Sequence, residues 1–374
     1  MRLGLMRLKY DQAGGAERTL ALLTQGLLDR GHEVCVVTAS WQGAPPNGAV
    51  VREVPTKHSR GYQRVREFAQ AGVTAMQAWR PHSFMSLERT PGAPLIRAGD
   101  GCHAAWLDHR APYENFFKNL SFKFNPQHKA FLELEQRAYT SPALQKVIAN
   151  SRLVAAELQR FYGLEPERIK VIYNGVDKAR LAGAREDGAK QTARIELGLD
   201  LDRPLLLFLG SGFERKGLAF AIKALSRLPE AMLLVAGKDR AARYEALARR
   251  LGTETQVRFL GRRDDAGRLL TACDAMVLPT IYDPCANACL EALAAGRPVV
   301  TTRANGASEL VTPGVNGAVV PDPADDVALA AACGEALNLP PDFDEQVPEL
   351  GDWVDRMATV MEQAGSQAEG NAHE

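Results

Sequence analysis

The 374-residue chain has no excess charge of either sign: 45 Lys+Arg stand against 45 Asp+Glu. Nothing in the overall charge draws it to nucleic acid, so any polyanion it binds must be met by a local cluster. Cysteine is sparse: Cys35, Cys102, Cys273, Cys285, Cys289 and Cys333 are the only six. The one close pair, Cys285-x-x-x-Cys289, lacks the spacing of a zinc or redox motif, which predicts reduced thiols in a cytosolic protein. No uninterrupted apolar run reaches the ~20 residues of a bilayer span. Met1–Arg7 has basic residues inside its apolar run and no cleavage site, so it does not read as a secretory signal. A third glycine is missing as well. Neither Gly14-Gly15 nor Gly210-Ser211-Gly212-Phe213-Glu214-Arg215 completes the dinucleotide fingerprint, which excludes a nicotinamide dehydrogenase, and there is no P-loop.

What is present has an α/β rhythm. Residues 3–8 form a short apolar run, Gly14-Gly15 follows, and Ala16, Leu20, Leu23 and Leu27 recur at helical spacing before a second buried strand at Glu33–Thr38. Further strands are predicted at 50–54, 84–87, 94–98, 146–149 and 170–173, with helical stretches at 62–79, 113–139 and 151–162 between them. The polar, strand-free segment 174–204 reads as an inter-domain connection. A second set of strands follows at 205–210, 232–236, 257–260, 275–278, 299–302 and 318–320, separated by helices. Trp353, Met357, Val360 and Met361 then mark an amphipathic helix placed to pack back on the first half, and the tail beyond Ala364 is expected to fray. The predicted domains are 1–175, completed by 352–374, and 176–351.

Three loops carry candidate chemistry. Gly14 and Gly15 sit where a strand feeds a helix, so free N–H groups and the helix dipole favour a phosphate there; a simple packing turn would give the same pattern. Arg215 and Lys216 follow the first strand of the second half, at the ligand edge of an open sheet. Their charges would oppose the dipole of the helix behind them unless a diphosphate is bound. The third loop is Asp283-Pro284-Cys285-Ala286-Asn287-Ala288-Cys289-Leu290-Glu291. Here Asp283 reads as an N-cap, Pro284 as the first helical residue and Gly296 as the stop. Glu291 then lies about two turns along the helix and roughly 80° around it. In a sugar-nucleotide site Asp283 would accept from a sugar hydroxyl, the N–H groups of Cys285, Ala286, Asn287 and Ala288 would face phosphate, and Glu291 would hold the ribose. A plain surface helix explains the same residues.

Taken together, Gly14-Gly15-Ala16-Glu17, Asn174-Gly175-Val176-Asp177, Arg215-Lys216-Gly217 and the acid-x7-Glu motif ending in Gly296-Arg297-Pro298-Val299-Val300 resemble the large family of retaining glycosyltransferases of glycosyltransferase family 4 type. The order and spacing match over nearly the whole chain. Arg30-Gly31-His32-Glu33-Val34, Thr38–Gly43 and Gly99-Asp100-Gly101-Cys102-His103-Ala104-Ala105-Trp106 look most like the lipopolysaccharide core α-glucosyltransferases. The resemblance implies a GT-B fold, with two Rossmann-like domains facing a central cleft and a C-terminal helix crossing back to the first. It implies a nucleotide-sugar donor, UDP-glucose, held mainly by the second domain, a lipid-linked oligosaccharide acceptor held by the first, and neither metal nor cofactor. Lys216 and Arg215 would neutralise the departing diphosphate, Asp283 would contact the sugar, and Asp100 and His103 would orient the acceptor and transferred sugar. The family pattern has glutamate where this chain has Asp283.

Phenylalanines and cations alternate at Phe116, Phe117, Lys118, Phe122, Lys123, Phe124 and Lys129. Such a stretch suits an anionic membrane surface, and an irregular core segment with lysines at its rim has the same composition. With a lipid-linked acceptor the expectation is a cytoplasmic enzyme, peripheral on the inner face of the inner membrane. A catalytically silent nucleotide-sugar-binding protein, a GT-B epimerase, and a transferase using GDP-mannose or UDP-N-acetylglucosamine remain open at this stage.

Overall fold

The computed structural model describes all residues except 11–14, 59–60, 342, 344–345 and 373–374, and all side chains among these except those of 15–18, 123 and 368–372. The chain divides into two compact units, Met1–Tyr173 with Gly351–Glu374, and Asn174–Leu350.

Unit 1 is built on seven parallel strands: β1 (Arg2–Met6), β2 (Glu33–Thr38), β3 (Val50–Glu53), β4 (Ser83–Ser86), β5 (Leu95–Ala98), β6 (Lys146–Ala149) and β7 (Ile169–Val171). Their spatial order is β3-β2-β1-β4-β5-β6-β7. The order reverses between β1 and β4, whose register pairs Leu3 with Ser83 and Met6 with Ser86. The inner strands are buried on both faces, with Leu3, Leu5, Met85, Leu95 and Ile96 in the core. The helices are α1 (Gly15–Asp29), α2 (Gly61–Trp79), α3 (His103–Arg110), α4 (Phe116–Phe124), α5 (Pro126–Tyr139) and α6 (Arg152–Tyr162). The single helical stretch expected over 113–139 is broken. Asn125 caps α5 by accepting from the Gln127 N–H, and Pro126 takes the first helical position, so α4 must end.

Unit 2 begins with a 3-10 helix at Lys178–Arg185 and α7 (Ala189–Glu196), and continues through β8 (Leu205–Leu209), α8 (Leu218–Leu225), β9 (Met232–Ala236), α9 (Ala242–Leu251), β10 (Val257–Gly261), α10 (Ala266–Ala272), β11 (Ala275–Leu278), α11 (Asn287–Ala294), β12 (Val299–Thr302), β13 (Gly317–Val320) and α12 (Asp326–Leu337). The parallel sheet runs β10-β9-β8-β11-β12-β13, reversing between β8 and β11. Segment 174–204 is not a free connection. Arg194 is buried within it and donates to the carbonyls of Ala272 and Leu201 and to Asp274, tying the segment into the unit. The chain enters and leaves unit 2 side by side, Val176 bridging Glu349.

The last helix, α13 (Leu350–Ala372), belongs to unit 1 from Gly351 onward. Met357 and Met361 are fully buried in it, and Trp353 lies under the Arg97 guanidinium. Arg30 pairs with Asp355, and His32 Nε2 lies 2.7 Å from Glu362. Gly26 has no room for a side chain, since a Cβ there would come within 2.1 Å of Val354. The tail does not fray at Ala364: the helix continues to Ala372, with Gly365 against Met1 and His82. All six cysteines are free and buried. Among the described residues no helix is long and apolar enough to cross a membrane.

Candidate donor-binding site

In unit 2 the loops after β8 and β11 meet at the reversal of strand order, where open α/β sheets place ligands. After β8 the chain makes one tight turn, with the Lys216 N–H donating to the Gly212 carbonyl at 2.9 Å. Gly217 follows at φ +80°, and a Cβ there would stand 1.9 Å from the Pro279 carbonyl oxygen. Glycine is therefore required for the two loops to touch. Arg215 is locked from the β11 side: its carbonyl accepts from the Ile281 N–H at 2.8 Å and the Thr280 hydroxyl at 2.9 Å.

The two cations converge on one carboxylate. Arg215 Nη1 lies 2.9 Å and Lys216 Nζ 3.1 Å from Asp283 Oδ2. Burial alone would raise the Asp283 carboxyl, but Lys216 and Arg215 outweigh it and hold the group below the usual carboxylate range. Asp283 is not the helix cap its sequence suggested. It forms a parallel bridge with Asn305, and α11 starts only at Asn287, so Pro284 lies outside the helix. Asn305 is fully buried, and its side-chain oxygen accepts from the Ala286 and Ala307 N–H groups. The Ala286 N–H is thus committed within the protein, contrary to the expectation that it faces a ligand. The first N–H groups of α11, from Asn287 and Ala288, carry no side-chain cap. The Asn287 side chain accepts from Asn174 at 2.6 Å, which joins the Asn-Gly motif to this helix. Cys285 and Cys289 are buried and their thiols are pushed up by burial, so both stay protonated packing residues. Glu291 is half-buried along α11.

In unit 1, Gly14 lies outside the described residues and Gly15 is the first residue of α1. Asp100 stands two residues past β5 at the carboxyl edge of the sheet, 3.8 Å from Arg7 Nη1, which also approaches Glu88 at 3.4 Å. His103 opens α3, its N–H donating to the buried Glu135 at 2.7 Å and its Nε2 lying 2.9 Å from His128 Nδ1. Burial, then Arg89, then His128 bring the His103 pKa down to about 3, leaving a neutral imidazole at physiological pH. Glu135 also receives Arg89 Nε at 2.6 Å and the Tyr162 hydroxyl. Among the described residues no cluster of three or more His, Cys, Asp or Glu could hold a metal ion.

Residues 13–180 match the model for glycosyltransferase family 4, and residues 189–349 that for glycosyl transferases group 1. The chain is 31% identical to the alpha-maltose-1-phosphate synthase of Mycolicibacterium smegmatis, over 90% of this chain and 89% of that one. It belongs to the GT-B glycosyltransferases. The lipopolysaccharide glucosyltransferase WaaG of Escherichia coli is 27% identical over 89% of this chain and 88% of that one. The crystal structure of WaaG, a glycosyltransferase involved in lipopolysaccharide biosynthesis, superposes with a TM-score of 0.77 at 25% identity, covering 99% of this chain and 98% of that one.

In this glycosyltransferase the aromatic-basic segment is α4. Phe116, Phe117 and Phe124 are 75%, 80% and 70% exposed. Phe122 departs from the expectation: it turns inward, edge-on to His128 and beneath Arg110. Lys118 is paired with Glu114 at 2.8 Å, and Lys129 lies over the Phe124 ring. The Lys123 side chain lies outside the described residues. Sequence reading missed Arg7, Glu88, Glu135 and Asn305. Each sits one to three residues past a strand, or on a neighbouring helix, and acquires its partner only through the fold.

Proposed function

We propose that this glycosyltransferase moves glucose from UDP-glucose onto a sugar of a lipopolysaccharide core, with retention at the anomeric carbon and without metal. The observation that carries this reading is the convergence of Arg215 and Lys216 on Asp283 beside the uncapped start of α11. Arg215, Lys216 and the N–H groups of Asn287 and Ala288 would take the diphosphate, Asp283 a hydroxyl of the sugar, and Glu291 the ribose. As the glycosidic bond to UDP breaks, negative charge grows on the diphosphate, and fixed cations in a buried site stabilise it with little reorganisation. The departing phosphate oxygen takes the proton of the acceptor hydroxyl as that oxygen bonds to the anomeric carbon. Asp100, with Arg7 behind it, orients the hydroxyl. His103, being neutral, acts as a hydrogen-bonding group and not as a charge. The similarity to the WaaG glucosyltransferase supports the choice of donor and acceptor. The exposed rings of α4 support seating on an anionic membrane, which would place the enzyme on the cytoplasmic side beside a lipid-linked acceptor.

The test is calorimetric titration with UDP, GDP and ADP in EDTA, followed by transfer assays with the sugar derivatives of whichever binds. Selective UDP binding, then glucose transfer to core oligosaccharide with an α linkage, is expected. Preference for GDP would move the donor to a GDP-sugar such as GDP-mannose, and binding of none would remove the donor site.

A further inference from the structure

The turn that presents Arg215 and Lys216 has an anchor outside its own sequence. Its first two N–H groups, from Gly212 and Phe213, have no earlier carbonyl within the turn, as at the start of any helical turn. Both donate to a single oxygen, Asp239 Oδ2, at 2.5 and 2.6 Å. Asp239 comes from the loop after β9, and that loop is fitted closely to the turn. The Lys238 N–H donates to the Ser211 hydroxyl at 3.2 Å, and a Cβ on Gly237 would stand 2.5 Å from the Gly210 carbonyl oxygen. Gly210 and Gly212 adopt φ of +125° and +84°, a conformation that glycine enters without strain. Just beyond, Phe213 is buried against Phe208 and Tyr244. The far end of the turn is held by Ile281 and Thr280 through the Arg215 carbonyl.

We infer that Asp239 is the positioning residue of the donor site: by capping the turn from β9 it fixes the direction in which Arg215 and Lys216 reach the diphosphate. The inference rests on the donor reading given above. Two adjacent N–H groups aimed at one point also make an anion-binding concavity. Asp239 fills it, so phosphate is left to the side chains of Arg215 and Lys216 and to the start of α11.

The test compares UDP with uridine, which lacks the diphosphate, on wild type, Asp239→Ala and Asp239→Asn. Wild type is titrated first, and if it binds no nucleotide the donor reading falls and this role with it. With wild type binding UDP, Asp239→Ala should lose about tenfold or more in UDP affinity while its uridine affinity, followed by ligand-observed NMR, stays unchanged. Asp239→Asn should return UDP affinity to within about threefold of wild type, because the amide oxygen accepts the same two N–H bonds. Wild-type UDP affinity in Asp239→Ala would overturn the role. So would tighter binding, which would mean that the emptied concavity takes phosphate. A parallel loss of UDP and uridine would reduce Asp239 to a folding residue, and failure of Asp239→Asn to recover would assign the effect to charge and not to capping.

Discussion

Lys216 Nζ lies 3.1 Å from Asp283 Oδ2, and the pair joins the first strand of unit 2 to the fourth across the reversal of its sheet. Arg215 shares the same oxygen. A buried carboxylate is costly to leave unpaired, so the three side chains hold one another in place.

Lys216→Ala should weaken UDP binding by about tenfold to hundredfold and nearly abolish transfer, while Arg215 keeps Asp283 paired and the fold intact. Titration calorimetry and initial rates check this. Unchanged kinetics would remove the diphosphate role.

Asp283→Asn should separate binding from turnover. On the proposed donor reading, removing the negative charge would free both cations for the diphosphate, so UDP affinity should rise by a few-fold, whereas transfer should fall by about a hundredfold through loss of the proposed sugar contact. Asp283 also gives a signed pH dependence. Because its folded pKa lies below the ordinary 3.8, its stabilising charge is complete above that value and is lost as pH falls through the lower folded value. Acid unfolding curves of wild type and Asp283→Asn should therefore diverge above that range and converge below it.

His103 gives a wider window. Its pKa drops from 6.5 to about 3 on folding, so below 6.5 the unfolded chain takes up a proton that the folded chain refuses. Stability contributed by this group is full above 6.5 and is lost as pH falls toward about 3. Melting temperatures measured between pH 7 and pH 4 should slope downward in wild type and less steeply in His103→Gln; identical slopes would show that the imidazole is protonated in the fold.

For α4, replacing Phe116, Phe117 and Phe124 together by serine should abolish binding to anionic vesicles with UDP affinity and melting temperature retained, since those rings touch little of the protein. Phe122→Ser should do the reverse, lowering the melting temperature by removing the ring between His128 and Arg110. Co-sedimentation with phosphatidylglycerol vesicles and thermal melts separate the two. Vesicle binding that survives the triple change would assign membrane contact to another surface.

Much of the fold was legible because parallel strands buried on both faces are rich in apolar and β-branched residues; Lys146–Ala149, Met232–Ala236, Ala275–Leu278 and Val299–Thr302 stand where that pattern places them. Local signals failed where long-range partners outbid them. Asp283-Pro284 carries a strong helix-start signature, but the pull of Arg215 and Lys216 and the bridge to Asn305 keep it extended, and the helix waits until Asn287. The break at Asn125-Pro126 was present in the sequence as a cap followed by proline, and the helical periodicity on either side concealed it. Arg215 and Lys216 could be picked out from their place after a strand, whereas Asp239 could not. Its two partners lie 27 and 26 residues away, and nothing in its own neighbourhood names them.

The side-by-side entry and exit of the chain at Val176 and Glu349 make unit 2 a guest inserted into unit 1. During synthesis the seven strands of the host emerge first, yet Gly26, Arg30 and His32 on and beside α1 meet Val354, Asp355 and Glu362 only after the whole of 174–350 has been made. The guest has every residue it needs while the host is still missing α13, so the half of the molecule that is started first is the last to be covered.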